Sequence, residues 1–252
     1  MDDKRWDKIA TQYFDIVSSP FDERVDNPLF DQLKKIRRRK QMRIIDLGCG
    51  IGNLTPFLSK HFGHVTAIDF SEKMVEVTGE KCKAMENVVV LKQDMRDLQI
   101  FYNQFDVAVA VNSFVLPSII DIRKMFLETF KILKPGGKLI GIFPSINSDL
   151  YRAMLTFDMQ YEETKKEDEA MKNTRYIMGE EDFDFMFGLY HYDGSQKHFY
   201  QFELEYRLKQ AGFTNIVIDK VLYPWEMCED DDLCNLEAPP LFDWFVTADK
   251  PA

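Results

Sequence analysis

The chain has 252 residues, of which 45% are hydrophobic and 29% charged, the proportions of an ordinary globular protein. A net charge of −10, from 42 acidic and 32 basic residues, disfavours nucleic acid as a partner. No apolar run reaches membrane-spanning length, and the first ten residues contain no apolar signal-peptide core. The four cysteines form no CxxC pair and no disulfide framework. We therefore expect a cytoplasmic protein without a membrane partner.

The first 145 residues alternate short apolar runs with amphipathic helical patterns. This alternation predicts strand–helix units, joined by right-handed crossovers into a doubly wound, mostly parallel sheet. The predicted strands in this part cover residues 43–46, 64–68, 88–91, 106–111 and 138–143. The predicted helices cover residues 5–17, about 27–38, the segment around 54–58, about 71–84 and about 121–133.

The pattern changes after residue 145. Residues 149–173 are predicted to be helical and strongly charged. Residues 183–192 are dense in aromatic side chains, which favours a satellite hydrophobic cluster and a lid over a substrate pocket about equally. A late helix at about 201–210 and two closing strands, at 215–221 and 242–248, complete a predicted seven-stranded sheet.

A glycine-rich turn follows the first predicted strand, in the run IIDLGCGIGNLT at residues 44–55. A buried strand that ends in glycines and opens a helix brings backbone N–H groups close to a ligand. The alternative is a plain strand–helix turn, but three alternating glycines, Gly48, Gly50 and Gly52, are costly for a turn alone. The dinucleotide pattern needs two residues before its third glycine, and only Ile51 stands here, which argues against NAD.

This run resembles the first motif of the class I S-adenosylmethionine-dependent methyltransferases. The resemblance implies a Rossmann-like seven-stranded fold with a helical and aromatic insertion after strand five. It also implies S-adenosylmethionine as the cofactor and S-adenosylhomocysteine as the product. Asp46, Gly48, Cys49 and Gly50 are the cofactor-binding candidates that this motif supplies.

Further candidates follow strands two and three. Asp69 ends strand two, where a carboxylate can accept hydrogen bonds from both ribose hydroxyls, although an N-cap role for the next helix is compatible with this. The resemblance places Phe70 beside the adenine. It likewise implies that Asp94 accepts from the adenine amino group while Met95 packs on the ring or offers its N–H.

The segment 105–114 resembles the family's fourth motif, with Asn112 near the amino-acid end of the donor and Phe114 facing the methyl group. The proline pair with which nucleic-acid amino-methyltransferases grip a base is absent after Asn112. The runs at 133–143 and 208–218 resemble the strand-five signature and the closing helix and strand. The N-terminal helix resembles the one that closes over the donor, with Tyr13 as a contact.

No residue of the chain is identified as the catalytic base by its motif. His191 and His198 are candidates because they lie in the variable region and a histidine titrates near neutrality. Substrate-pocket candidates are Phe114, Tyr190, Tyr192 and Trp225, of which the last three are equally compatible with core positions.

Two charged runs have simpler interpretations than a site. The acidic run 229–232 is typical of an exposed turn, and no cluster has metal-ligand spacing, so no metal is expected. The basic run 34–40 is better explained as a solvated helix end than as a nucleic-acid surface.

These observations predict a methyltransferase that acts on a small molecule by in-line displacement. The alternatives are a protein or peptide methyltransferase and a non-catalytic protein that binds S-adenosylmethionine for regulation. The prediction is one domain over 1–252. It comprises N-terminal helices over 1–40, a cofactor-binding core over 41–144, an insertion over 145–198 that forms the substrate lid, and a C-terminal helix with closing strands over 199–252.

Overall fold

The computed structural model describes residues 19–179, 182–191, 194–227 and 237–252. The predicted helix over 5–17, the candidates Tyr13 and Tyr192, and the acidic run 229–232 lie outside the described residues.

Seven strands of the described chain form one sheet in the order β3-β2-β1-β4-β5-β10-β9, in which only β10 is antiparallel to its neighbours. These strands are β1 (Arg43–Leu47), β2 (His64–Asp69), β3 (Val88–Lys92), β4 (Phe105–Val111), β5 (Leu133–Phe143), β9 (Thr214–Tyr223) and β10 (Leu241–Asp249). A second, three-stranded sheet consists of β6 (Phe183–Asp184), β7 (Leu189–Tyr190) and β8 (Gln196–Lys197). The predicted doubly wound fold is confirmed.

Helices flank both faces of the large sheet. They are α1 (Leu29–Lys35), α2 (Thr55–His61), α3 (Glu72–Cys82), α4 (Ile119–Ile132), α5 (Ile146–Thr164), α6 (Glu167–Met178) and α7 (Gln201–Ala211). Short 3-10 turns occupy Arg39–Gln41, Gln99–Phe101 and Trp225–Met227.

The central strands are apolar on both faces because helices cover both. On β1, Ile45 and Leu47 join the hydrophobic cluster that contains Phe126 of α4. The intervening Ile44 joins the cluster on the opposite face, with Leu58 of α2. This alternation explains the continuous apolar stretches at residues 44–45 of β1 and 107–111 of β4. It also places the side chain of each strand-end residue on a defined face.

Three predicted boundaries were wrong. The helix predicted over 149–173 is two helices, separated where Lys165 has a left-handed backbone with φ of 55°. Strand five, predicted over 138–143, begins at Leu133, which pairs with Phe105 before the register shifts. Helix α1 ends at Lys35, three residues earlier than predicted.

The basic run 34–40 lies where α1 ends. The Arg39 guanidinium donates to the carbonyl oxygens of Lys34 and Ile36, so it caps free carbonyl groups at this end. The arrangement fits the solvated helix end that the sequence favours. None of the described helices combines the length and the apolar character needed to cross a membrane.

The aromatic segment after residue 182 folds into the small sheet. Phe183 of β6 stacks on Tyr190 of β7 with ring centroids 4.6 Å apart. The side chain of Lys197 in β8 is 0% exposed and donates to the carbonyl oxygens of Phe187 and His198, at 2.8 and 2.7 Å. These contacts make the segment a packed satellite cluster.

Candidate functional site

The loop between β1 and α2 lies at the carboxyl edge of the sheet, and its three glycines have positive φ. A Cβ atom added to Gly48 would lie 2.5 Å from Cβ of Ser113, and one added to Gly52 would lie 2.9 Å from the side chain of Thr78. Gly50 differs, because no atom of the described residues beyond its chain neighbours lies within 4 Å of its Cβ position, and its φ is 53°. The open space beside Gly50 is therefore available to a ligand.

A first cleft of about 710 Å³ opens on one side of this loop. It brings together seven of the cofactor-binding candidates, which follow the carboxyl ends of β1 to β4: Gly48, Gly50, Asp69, Phe70, Asp94, Met95 and Asn112. Parallel strands end at the same edge of a sheet, and ligands of doubly wound folds bind at that edge.

Asp69 is a buried carboxylate that braces the loop. Its Oδ2 accepts the backbone N–H of Gly50 at 3.0 Å and its Oδ1 accepts that of Ser71 at 2.9 Å. Ser71, rather than Asp69, caps α3 by accepting from the N–H of Met74. Each carboxylate oxygen can accept more than one hydrogen bond, so ribose hydroxyls remain compatible with these contacts.

Asp94 forms an ion pair with Arg96, two residues further along. The Arg96 guanidinium contacts Oδ2 of Asp94 at 2.6 Å and Oδ2 of Asp121 at 3.0 Å, which ties the β3 loop to α4. Burial opposes ionisation of Asp94, but the hydrogen bonds from Arg96 lower its pKa below the ordinary value. Arg96 was not predicted from the sequence, although a basic residue two positions after an acidic one can indicate an ion pair.

A second cleft, of about 500 Å³, lies along the loop and contains Asp46, Cys49 and Asn53. Asp46 is 3% exposed and accepts a hydrogen bond from Oγ1 of Thr55 at 3.0 Å. Burial raises the pKa of Asp46 to about 7, against the hydrogen bond from Thr55 and with a contribution from the charge of Asp69. Burial also raises the pKa of the Cys49 thiol, so this cysteine is not an activated nucleophile.

Asn112 lines both clefts. It has a positive φ of 46°, an uncommon conformation for a residue other than glycine. Its Nδ2 donates to Oδ2 of Asp243 at 3.0 Å, and that oxygen also accepts the hydroxyl of Tyr223 at 2.7 Å. The sequence analysis missed Asp243 and Tyr223, which no motif singles out.

The substrate-pocket candidates that the structure describes, Phe114, Trp225 and Tyr190, lie in different surroundings. Phe114 does not line either cleft of the described chain: it is 0% exposed and packs in the core on Phe126 and Phe143, with centroids 4.8 and 5.4 Å away. The structure therefore places Phe114 in the core, and its position relative to the methyl group stays a prediction. Trp225 is buried and donates to the carbonyl of Ala238 at 2.7 Å, and Tyr190 stacks within the small sheet.

The two candidate bases, His191 and His198, lie in different surroundings. His191 is exposed, and its Nδ1 lies 2.7 Å from Oγ of Ser195 in the same hairpin. His198 is largely buried, and its Nδ1 lies 2.7 Å from Oδ2 of Asp149 on α5. Among the described residues, no group of three His, Cys, Asp or Glu side chains is arranged to hold a metal ion.

Part of the chain matches a known protein domain and several known proteins. Residues 44–137 match the model of a methyltransferase domain. The chain is 37% identical over 139 residues to the demethylmenaquinone methyltransferase of Staphylococcus aureus strain MRSA252, covering 50% of this chain and 56% of that protein. It is 33% identical over 128 residues to the putative methyltransferase YqeM of Bacillus subtilis, covering 49% and 52%.

The fold is shared with solved structures of lower identity. The 1,6-didemethyltoxoflavin-N1-methyltransferase of Burkholderia thailandensis, solved with 1,6-didemethyltoxoflavin and S-adenosylhomocysteine, has a TM-score of 0.64 at 14% identity, covering 99% of this chain and 87% of that one. The PH0226 protein of Pyrococcus horikoshii has a TM-score of 0.62 at 18% identity, covering 95% and 98%.

The chain matches only about half the length of the curated relatives. The glycine loop and the strand-end acids lie within the residues that match the domain model. The matched domain, the strand order and the position of the loop agree with one another. Residues 44–137 thus match a methyltransferase domain, and the fold of the chain is shared with a methyltransferase of solved structure.

Proposed function

We propose that the chain transfers a methyl group from S-adenosylmethionine to a small-molecule acceptor. The observation that carries the proposal is the open position at Gly50, where a left-handed backbone faces a cleft bounded by Asp69 and Asp94. The positive φ accounts for the glycine itself, and the cleft that opens beside it, lined by the acids that follow β2 and β3, supports a ligand in this space.

The residues fit the donor. Asp69 can accept from ribose hydroxyls, and the ionised Asp94 can accept from an adenine amino group, between the apolar surfaces of Phe70 and Met95. S-adenosylmethionine supplies a methyl group that its sulfonium charge already activates. The chain therefore has to hold the donor, align the acceptor for in-line displacement and exclude water.

The small-molecule class is supported by charge and by the relatives. A net charge of −10 opposes polyanionic acceptors. Two of the similar proteins carry small-molecule names, a demethylmenaquinone methyltransferase and a 1,6-didemethyltoxoflavin methyltransferase. Neither name is assigned to this chain.

For an acceptor that must lose a proton, we assign the role of base to His198 rather than His191. The carboxylate of Asp149 holds Nδ1 of His198 as the N–H donor, which leaves Nε2 as the free acceptor. We expect His198→Asn to lower kcat and alter the pH profile without changing the affinity for S-adenosylhomocysteine. His191→Asn is the matched control, and equal losses in both variants would contradict the assignment.

Calorimetric titration of the full chain tests the proposal, with S-adenosylmethionine, S-adenosylhomocysteine and NAD as ligands. We expect micromolar binding of the two sulfur compounds and no binding of NAD. Absence of binding by both sulfur compounds would overturn the proposal. Donor binding without turnover in a broad acceptor screen would favour the non-catalytic alternative instead.

A further inference from the structure

The first cleft has two walls that come from separate parts of the chain. One wall is the turn after β3, and the other is the segment that leads from β4 into the first turns of α4. The first wall contributes residues 93–96 to the cleft lining, and the second contributes Ser113, Val115, Leu116 and Met125. A contact that joins the two walls therefore limits how far the opening between them can widen.

The guanidinium group of Arg96 makes such a contact. On its own wall it pairs with the carboxylate of Asp94, through Nε at 3.0 Å and Nη2 at 2.6 Å. Its Nη1 donates to Oδ2 of Asp121, in the first turn of α4, at 3.0 Å. Because different nitrogen atoms serve the two carboxylates, Arg96 holds both at once.

The ion pair of Arg96 with Asp121 lies at the rim of the cleft rather than on its floor. Asp121 precedes Met125 by four residues on α4, and side chains at this spacing are neighbours on one face of a helix. Met125 is fully buried and lines the cleft, whereas Asp121 and Arg96 are partly exposed. The pair is therefore on the solvent side of this floor residue, about 6 Å from it along the helix axis.

We propose that the ion pair of Arg96 with Asp121 is a strap across the opening of the first cleft, which must break before the donor enters or the product leaves. The inference rests on the proposed function, because it takes S-adenosylmethionine and S-adenosylhomocysteine as the ligands of this cleft. A partly exposed ion pair contributes little net stability, so the strap can break while both walls stay folded. The pair of Arg96 with Asp94 lies on one wall and stays intact when the strap opens.

The exchange rates of S-adenosylhomocysteine test the strap. Surface plasmon resonance on the immobilised full chain gives the association and dissociation rate constants separately. Asp121→Asn removes the charge and leaves the pair of Arg96 with Asp94 in place. We expect both rate constants to rise about three- to fivefold, the range that loss of a partly exposed ion pair allows. Their ratio, Kd, should stay within about 1.5-fold of wild type, because the strap is closed both before and after binding.

Added salt gives a second readout, because it screens a partly exposed ion pair. Exchange by the wild-type chain should accelerate between about 0.05 and 0.5 M NaCl, as the strap weakens. Exchange by Asp121→Asn should change less over the same range, since its strap is already lost. Equal salt dependence of the two chains would overturn the inference.

The chain offers a matched ion pair at the opposite edge of the sheet. Lys134 contacts Oδ1 of Asp106, near the first residue of β4, at 2.7 Å. Their side chains are 39% and 24% exposed, close to the 38% and 30% of the Arg96 and Asp121 side chains. Asp106→Asn removes the same charge at a residue that is not part of the described lining of either cleft. Its rate constants for S-adenosylhomocysteine should equal those of wild type.

The outcomes separate this inference from the proposed function. If the wild-type chain does not bind S-adenosylhomocysteine, the proposed function fails and the inference fails with it. If the wild-type chain binds and Asp121→Asn leaves both rate constants unchanged, or raises the dissociation rate constant alone, only the inference is overturned. Should Asp121→Asn fail to fold, Asp121→Gln removes the same charge and suits the third position of a helix that begins with a serine cap.

Discussion

Asp46 carries a buried carboxylate whose ionisation opposes folding. Its pKa in the folded chain is about 7, because burial raises it far more than the hydrogen bond from Thr55 lowers it. The folded state therefore binds a proton more tightly than the unfolded state. The stability that this proton contributes is present at low pH and is lost as the pH rises toward 7.

Asp46→Asn should remove this penalty, because the amide stays neutral and can still accept from Thr55. We expect the variant to gain about 1–3 kcal/mol in free energy of unfolding, relative to wild type, between pH 5 and pH 8. Urea denaturation at both pH values measures the gain. Asp97→Asn, at an exposed position, is the control, and an Asp46→Asn variant that is less stable at every pH would contradict the prediction.

Residue positions were predictable where one strand and its own loop define them. Gly50, Asp69 and Asp94 were predicted as site residues because each lies at or shortly after the end of a strand, and the strands were recognisable in the sequence as apolar runs. Asp243 was not found because its partner Asn112 is 131 residues away in the chain. Contacts made across the sheet by strands of opposite direction leave no local pattern in a single sequence.

At the scale of elements, two glycines allow the effect of backbone strain to be distinguished from the effect of crowding a ligand. Gly50 and Gly136 both have positive φ, 53° and 76°, and within the described part of the chain neither has an atom beyond its chain neighbours within 4 Å of its Cβ position. Gly50 lines the clefts, whereas Gly136 lies in β5 at the opposite edge of the sheet. A substitution to alanine therefore imposes similar strain at both positions and crowds a ligand only at Gly50.

Gly50→Ala should abolish measurable binding of S-adenosylhomocysteine, and Gly136→Ala should leave it intact. Each variant should lose about 1–2 kcal/mol in free energy of unfolding, the cost of a left-handed backbone for a residue with a Cβ atom. Calorimetry and urea denaturation of both variants measure the two effects separately. Normal ligand binding by Gly50→Ala would mean that the loop is not the donor site.

The small sheet is attached to the rest of the fold by the buried side chain of Lys197. Its ammonium group donates to two carbonyl oxygens and contacts Oε2 of Glu203 on α7 at 2.6 Å. Burial lowers the pKa of Lys197, and the contact with Glu203 opposes this. Because one of the two carbonyls belongs to His198, the same contact also holds the candidate base.

Lys197→Met should cost about 1–3 kcal/mol in free energy of unfolding, since it removes the donor to two carbonyl oxygens and to Oε2 of Glu203, whose Oε1 keeps its pair with Arg207. Lys209→Met, which breaks an exposed pair with Glu205, should cost about 0.5 kcal/mol or less. Urea denaturation of both variants gives the comparison. Equal, small losses would show that the buried ammonium group contributes little to the attachment of the small sheet.

Secondary-structure elements were predicted well where a hydrophobic pattern extends over many residues, and poorly where it spans only a few. The strands of the large sheet are five to eleven residues long and were all anticipated. The strands of the small sheet have two residues each, too few to show an alternating pattern. The break between α5 and α6 falls at Lys165, a residue type that does not usually mark a helix end by itself.

At the scale of the molecule, the basic run and the candidate site lie at opposite edges of the sheet. The run 34–40 precedes the first residue of β1, whereas both clefts follow the last residues of β1 and β4. The length of β1 separates them by about 15 Å or more. The basic run therefore contributes no residue to the described lining of either cleft, and the net charge of −10 opposes the approach of a polyanion to the rest of the chain.

The double substitution Arg37→Glu with Lys40→Glu tests this separation, since both side chains are exposed. We expect the affinity for S-adenosylhomocysteine to stay within about twofold of wild type, because charges at this distance are screened at physiological salt. The wild-type chain should show no binding to duplex DNA or RNA in fluorescence anisotropy at the same salt. Nucleic-acid binding that falls steeply with added salt and is lost in the double variant would contradict the small-molecule class and make the basic run an interface.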